Sequence, residues 1–241
     1  MPGIFGAVRC PAELLTSLKQ LFSAPWGEVE SVRVANGILG GHAFHAKSLL
    51  NTRLPGLVVA VDGEVSIYSR VEKVSPSRSD LFQISSNVLN LSDTCKGNVA
   101  VVDLNANAWH LAADWAGIFP LYYTRQGGGF LFCSRLRPLA QVIGAEPDFI
   151  AITEFLNRGY LFGHRSFFRG IHRLLPGQSI AYFADRDQLV VSETSTAWVG
   201  RANDRPAKRA LYVEMAWEAL NEAIRACIGR DLPQALMMSA G

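Results

Sequence analysis

Apolar residues fall along this chain in two alternating rhythms, and the rhythms set out a layered domain. Ile4 to Arg9 reads as a strand, with Gly3 and Gly6 allowing close backbone approach. Pro11 then stands where a first helical turn tolerates proline, and Leu14, Leu15, Leu18, Leu21 and Phe22 follow at helical spacing. Short strands are predicted at Ser31 to Ala35, at Ile38 to Phe44 after the turn signal Asn36-Gly37, and at Leu57 to Val65. A second helix is predicted from Asp80, with Leu81, Ile84, Val88 and Leu91 on one face. Further strands follow at Val99 to Leu104, Trp109 to Ala113, Leu121 to Thr124 and Phe130 to Ser134, the last two joined through the glycine run at 127–129. Asp148 caps a predicted helix carrying Ile152, Phe155 and Leu156 and stopped by Gly159. The turn Pro176-Gly177 introduces strands at Ser179 to Phe183 and Leu189 to Ser192.

Most of these strands are apolar on both faces, as expected where each sheet is covered by another sheet or by helices. The pattern predicts an α+β domain of stacked antiparallel sheets with outer helices over residues 1–194. Residues 195–205 turn to Thr, Ser, Gly, Arg, Asn and Asp and read as a linker. Residues 206–241 open a different pattern: a long helix from Pro206, a break at Asp231-Leu232-Pro233, and a short apolar strand from Ala235 to Met238. One helix and one strand cannot complete a parallel sheet, so 206–241 is expected to be the start of an incomplete α/β domain.

Composition narrows the function classes. The 241 residues are 49% hydrophobic and 18% charged, enough for one large core. With 23 basic against 21 acidic residues, the net charge of +2 gives no electrostatic case for nucleic acid or an anionic membrane. No apolar run reaches the length of a membrane span, and the opening residues lack the basic region of a signal peptide, so a cytoplasmic protein is expected. Cys10, Cys95, Cys133 and Cys227 lack any CxxC spacing and read as free thiols rather than a metal site. His42 and His45, three apart in a strand, would face opposite sides, so no metal site is expected there either.

Six landmarks, in order, resemble the asparagine-synthetase family. Met1-Pro2-Gly3-Ile4-Phe5-Gly6 is similar to that family's Met-Cys-Gly-Ile-Phe-Gly, and Val61-Asp62-Gly63-Glu64 to its Asn-Gly-Glu strand end. Ser79-Asp80 stands where the family has Ser-Asp-x-Glu. Asp114 to Tyr123 resembles its Arg-Asp-x-x-Gly-x-x-Pro-Leu-Tyr-Tyr block, and Phe132-Cys133-Ser134 with Leu139 resembles the following Ala-Ser-Glu-x-x-x-Leu. Phe168 to Gly177 resembles its Phe-x-Gly-Ile-x-x-Leu-x-Pro-Gly. The resemblance implies a type 2 glutamine amidotransferase domain with a four-layer αββα sandwich of the N-terminal-nucleophile hydrolase type. Met238-Ser239-Ala240-Gly241 resembles the start of the family's pyrophosphate-binding loop, making 206–241 the opening of an ATP-pyrophosphatase domain. Only Ser239 and Gly241 of that loop are present, so no cofactor is expected in this chain; ATP and Mg belong with the missing synthetase domain.

The same resemblance exposes two departures. The family's nucleophile is an amino-terminal cysteine whose own α-amine acts as base. Here that position holds Pro2, which has no side-chain nucleophile. The family's oxyanion-hole asparagine is replaced by Asp62, beside Gly63. An ionised carboxylate only accepts hydrogen bonds and repels the developing charge. Loss of one such donor costs about 3 kcal/mol of transition-state stabilisation. No catalytic residue is therefore expected. Glu64 and Asp80 are implied as walls of the old substrate pocket, with a turn carboxylate and a helix N-cap as the plain alternatives; Arg53 is the nearest arginine for a substrate carboxylate. Asp114 is expected to brace the Gly117 turn. An exposed amino-terminal proline is also the base of tautomerases, but no second feature of that class is present.

The reading that follows is a degenerate glutaminase domain retained as a scaffold for an ATP-dependent amide-forming partner, supplied in cis or in trans, as in β-lactam synthetases, carbapenam synthetases and lasso-peptide cyclases. Two alternatives stand beside it: an asparagine synthetase using free ammonia, and a non-catalytic ligand-binding or interaction module. A homodimer is left open.

Overall fold

In the computed structural model, strand β1 (Gly3–Val8) sends its odd and even side chains into two different cores. Ile4 and Val8 enter one, Phe5 and Ala7 the other, and all four are fully buried. This is the physical content of a strand that is apolar on both faces. The structure describes residues 3–23, 29–34, 36–42, 49–50, 57–62, 67–68, 73–74, 97–114, 117–192 and 209–227.

Around β1 lies a six-stranded antiparallel sheet. It contains β2 (Glu30–Val34), β3 (Gly37–His42), β10 (Leu121–Gln126), β11 (Gly129–Cys133) and β12 (His172–Leu174), in the order β12-β10-β11-β1-β3-β2. A second six-stranded antiparallel sheet contains β4 (Leu49–Leu50), β5 (Leu57–Asp62), β8 (Asn98–Asp103), β9 (Ala108–Ala112), β13 (Ser179–Phe183) and β14 (Gln188–Val191), in the order β14-β13-β9-β8-β5-β4. Strands β6 (Ile67–Tyr68) and β7 (Lys73–Val74) form a separate short ladder.

The two large sheets pack face to face. Their shared core takes Leu39, Leu121, Phe130 and Phe132 from the first sheet and Val102, Trp109, Leu111, Ile180 and Tyr182 from the second. Phe130 stacks on Tyr182 with ring centroids 5.0 Å apart, and Trp109 meets Phe132 edge-on at 6.3 Å, so aromatic contacts join the layers. The other face of the first sheet is covered by α1 (Ala12–Ser23) and α2 (Leu136–Ile143). Leu18 and Phe22 of α1 and Leu139 of α2 are buried there against Phe5, Leu131 and Cys133. The described residues thus form three layers, helix on sheet on sheet. The helix expected from Asp80 lies outside them.

Helix α3 (Phe149–Arg158) matches its sequence signals at both ends. Asp148 Oδ1 accepts the backbone N–H groups of Ile150 and Ala151, and Gly159 adopts φ +79 beyond the last turn. Two predicted strands shift by one or two residues: 31–35 becomes Glu30–Val34, and 38–44 becomes Gly37–His42. Tyr123 lies in the core between the sheets and Tyr122 against the core under the helices.

By compactness the chain divides into Met1–Thr196 and Ala197–Gly241. In the second unit the described element is α4 (Arg209–Cys227), on which Val213, Trp217 and Leu220 are exposed. The apolar strand expected at 235–238 lies outside the described residues. No described helix is long and apolar enough to cross a membrane.

Candidate active site

Strand registers bring Gly3 and the backbone of Asp62 to one end of the sandwich. In the first sheet Gly3 pairs with His42, Phe5 with Cys133, and Leu121 with Leu174, so β1 begins where β3 and β11 end. In the second sheet Asp62, the last residue of β5, pairs with Asn98, the first of β8, and Ala112 pairs with Ser179. Residues 113–120 run from β9 to β10, and 175–178 run from β12 to β13. Both crossings therefore join the sheets at this end, alongside Gly3 and Asp62.

The head of β1 is fixed by Ser134. Ile4 N–H donates to Ser134 Oγ at 3.0 Å, and Ser134 N–H donates to the Ile4 carbonyl at 2.9 Å. Gly3 has to be glycine here, since a Cβ would stand 2.3 Å from Ser134 Oγ and 3.1 Å from the Phe22 ring. Arg135 continues the clasp: its guanidinium lies 4.4 Å above the Phe22 ring, and Nη1 donates to the Phe22 carbonyl. The head of β1 is thus anchored from Gly3 onward.

On the facing sheet a buried polar cluster holds the crossing loops. Asn98 Oδ1 accepts the Asp114 N–H at 3.0 Å, and its amide nitrogen donates to the Pro120 carbonyl. The Asp114 carboxylate, 1% exposed, accepts N–H groups from Gly97 at 3.2 Å and Ile118 at 2.7 Å. The Asp114 carbonyl accepts from Gly117 and Gly177. Gly117 is held at φ +68 with Pro176 where a Cβ would be. Asp114 braces the turn, as its sequence setting implied, and every carboxylate contact goes to backbone.

Of the residues singled out from sequence, the structure describes the backbone of Asp62 at the strand end beside Asn98. Pro2, Arg53, Gly63, Glu64, Asp80, Ser239 and Gly241 lie outside the described residues. Asn98 and Ser134, which shape this end, were not singled out as site residues. The signal for Asn98 was a lone amide between a glycine and an apolar run, the mark of a polar group buried for a structural reason. Among the described residues no group of His, Cys, Asp or Glu is placed to hold a metal. Cys133, on β11, is buried beneath the helices, and its side chain belongs to that core rather than to the strand ends.

Residues 90–193 match the glutamine amidotransferase domain family. No curated protein matches the sequence. Two solved structures share its fold. One is glutamine phosphoribosylpyrophosphate amidotransferase from B. subtilis, complexed with ADP and GMP, at 13% identity over 80% of this chain and TM-score 0.50. The other, described as the allosteric regulatory enzyme of purine biosynthesis, is 12% identical over 80% of this chain with TM-score 0.51. The chain spans 49% of the length of each. The two antiparallel sheets are those of the N-terminal-nucleophile hydrolase-like amidotransferase fold, as the sequence landmarks implied.

Proposed function

We propose that this is a glutamine-amidotransferase-type domain without glutaminase activity, retained as a cytoplasmic scaffold for an ATP-dependent amide-forming domain of the asparagine-synthetase type. The observation that carries the reading is the residue at the head of β1. The amidotransferase fold places its nucleophile there, and Pro2 supplies neither thiol nor hydroxyl. A second change reinforces the first. Asp62, the last residue of β5, stands in the sequence where the resemblance implies an oxyanion-hole asparagine, and a carboxylate only accepts hydrogen bonds where a developing oxyanion needs a donor.

The match of residues 90–193 to the amidotransferase domain family supports a scaffold. The matched stretch begins at residue 90, and it includes the Asp114 to Tyr123 and Phe168 to Gly177 blocks that build the crossing loops. The altered positions precede it. What remains is a rigid strand end carrying Asn98, Asp114 and Ser134, with its hydrogen bonds satisfied internally. In this reading the ammonia route is closed, and the partner domain would join an activated carboxylate directly to an amine already present in its substrate. Ser239 and Gly241 would begin the loop that binds ATP and Mg in that partner domain; this chain's own residues supply no step of that chemistry.

The test is glutamine hydrolysis, read as ammonia release, by the full chain and by the double variant Pro2→Cys with Asp62→Asn. No release by the unmodified chain, with measurable release by the variant, is the expected result. Ammonia release by the unmodified chain overturns the reading.

A further inference from the structure

At the opposite end of β1 from Gly3, α1 and the β2–β3 hairpin flank a groove of about 600 Å³ that the amidotransferase reading does not use. One wall is the α1 row Ala12, Leu15, Thr16 and Lys19, spaced three and four residues apart and so on one face of the helix. The other wall comes from Ser31 and Arg33, alternate residues of β2. Val32 between them turns inward to the core between the sheets, which sends Ser31 and Arg33 to the helix side. Asn36, Gly37 and Ile38 form the turn, and Arg9 and Cys10 close one end.

The charges lining this groove all have one sign. Lys19 and Arg33 face it from opposite walls, and among the described residues neither forms an ion pair. Arg9 is committed elsewhere, donating from Nη1 to the Ala184 carbonyl and lying 3.8 Å from Asp187. Among the described residues no carboxylate lines the groove: Glu13 is off the lining row of α1, and Glu30 alternates with Ser31 on β2. Cys10 adds no charge. Its thiol donates to the Val8 carbonyl, and burial pushes it up to about 11. Leu15 and Ile38 give the groove an apolar floor, while Ser31 and Asn36 supply neutral donors.

We propose that this groove binds a small soluble phosphomonoester, its phosphate between Lys19 and Arg33 and its organic body over Leu15 and Ile38. A guanidinium fork and an ammonium on facing walls match the spread of charged oxygens on a tetrahedral dianion better than a single carboxylate. Two facing walls about an apolar floor suit a small soluble molecule held between them. Gly37 keeps the turn tight at the groove's end, because a Cβ there would meet the Ala7 carbonyl at 2.4 Å.

The test titrates phenyl phosphate, with benzyl alcohol as its uncharged counterpart, into the full chain at about pH 8, where a phosphomonoester is dianionic. Amide NMR shifts at Thr16, Lys19, Ser31 and Arg33 are the readout. Saturable shifts at these residues are expected, with a Kd of about 1 mM or tighter. Lys19→Gln and Arg33→Gln should each weaken binding about ten-fold, as expected for loss of one charge-assisted contact, and Arg33→Lys should restore part of it. Both side chains are solvent-facing, so the variants keep the wild-type melting curve. Absence of saturation, shifts elsewhere in the protein, equal binding by benzyl alcohol or by the Gln variants, or binding only to phosphatidic-acid vesicles overturns the proposal.

Discussion

Asn98 and Asp114 hold each other across the start of β8 and the end of β9: Asn98 Oδ1 accepts the Asp114 N–H, while Asp114 Oδ1 accepts the N–H of Gly97 beside it. Both side chains are sealed from solvent, so removal of either strands donors where water cannot replace the partner. Asp114→Ala orphans the Gly97 and Ile118 N–H groups and should cost about 3 kcal/mol. Asn98→Ala should cost about 2 kcal/mol. Because the two share one network, the double variant should lose at least about 0.5 kcal/mol less than the sum. Urea denaturation of the four proteins checks both the magnitudes and the non-additivity.

Gly3 and Ser134 form a second coupled pair. Gly3→Ala drives a methyl group into Ser134 Oγ and should destabilise by about 2 kcal/mol through overpacking. Ser134→Ala removes the acceptor for Ile4 N–H and should cost about 1–2 kcal/mol. Removing the hydroxyl also removes the clash, so Gly3→Ala should be milder in the Ser134→Ala background. A double-mutant cycle by thermal or urea unfolding reads the difference.

These residues also mark the limit of what the sequence reveals. Strands with long apolar runs, such as β8, β9 and β11, and helices with clear signals, such as α1 and Asp148-capped α3, are legible because burial and capping act locally. Helix α2 was not anticipated. It is eight residues long, contains Pro138, and starts at Arg135 without a side-chain cap. Strand β12 was missed as well, being three residues with exposed His172 at its head and held by pairing with β10. The placement of β1 between β3 and β11 depends on pairing with residues 29 to 39 positions away on one side and 122 to 128 away on the other, for which no local pattern exists. At the candidate site, Pro2 and Asp62 are departures only against the cysteine and asparagine that the resemblance implies, and both are read from residue identity alone. The clasp of Ser134 on Ile4 could not, because a serine at a strand end has many uses.

His110 gives the fold a pH dependence. Burial holds its imidazole below the usual histidine range, against a smaller opposing pull from Asp103. A depressed folded-state value means that the unfolded chain binds the proton more readily, so this contribution is present above about pH 6.5 and is lost as pH falls below it. His172, exposed at its edge but partly desolvated by the strand it pairs with, is lowered by that desolvation and then by His164, and acts weakly in the same direction. Urea midpoints should therefore fall between pH 7.5 and 5.5, and His110→Gln should flatten part of that fall, leaving the His172 share.

Cys10 should resist alkylation. Its thiol, pushed up to about 11 from 9.0 by burial, holds about a hundred-fold less thiolate at pH 8 than an ordinary cysteine, and the thiolate is the nucleophile. Iodoacetamide labelling followed by peptide mass spectrometry should show Cys10 modified far more slowly than free cysteine in the same mixture. Denaturation in urea should abolish the difference.

Helix α3 depends on its ends more than on its packing. Ala151 is its buried residue, whereas Phe149, Ile150 and Leu156 are each about two-thirds exposed or more, at 68%, 69% and 78%. A ten-residue helix with so little tertiary burial is marginal by length alone, since isolated helices shorter than about 12–15 residues barely form in water. What holds it is the Asp148 carboxylate on Ile150 and Ala151, the Gly159 N–H on the Phe155 carbonyl at 2.7 Å, and the edge contact of Phe155 with Phe167. Asp148→Ala should then remove about 1 kcal/mol. Gly159→Ala, forced into a left-handed conformation at φ +79, should remove about 1–2 kcal/mol. Because α3 contributes little to either core, these losses should appear as local opening. Hydrogen exchange of the α3 amides should quicken in both variants while exchange in β1 and β11 stays at the wild-type rate. If the cores depend on α3, the strands would quicken with it.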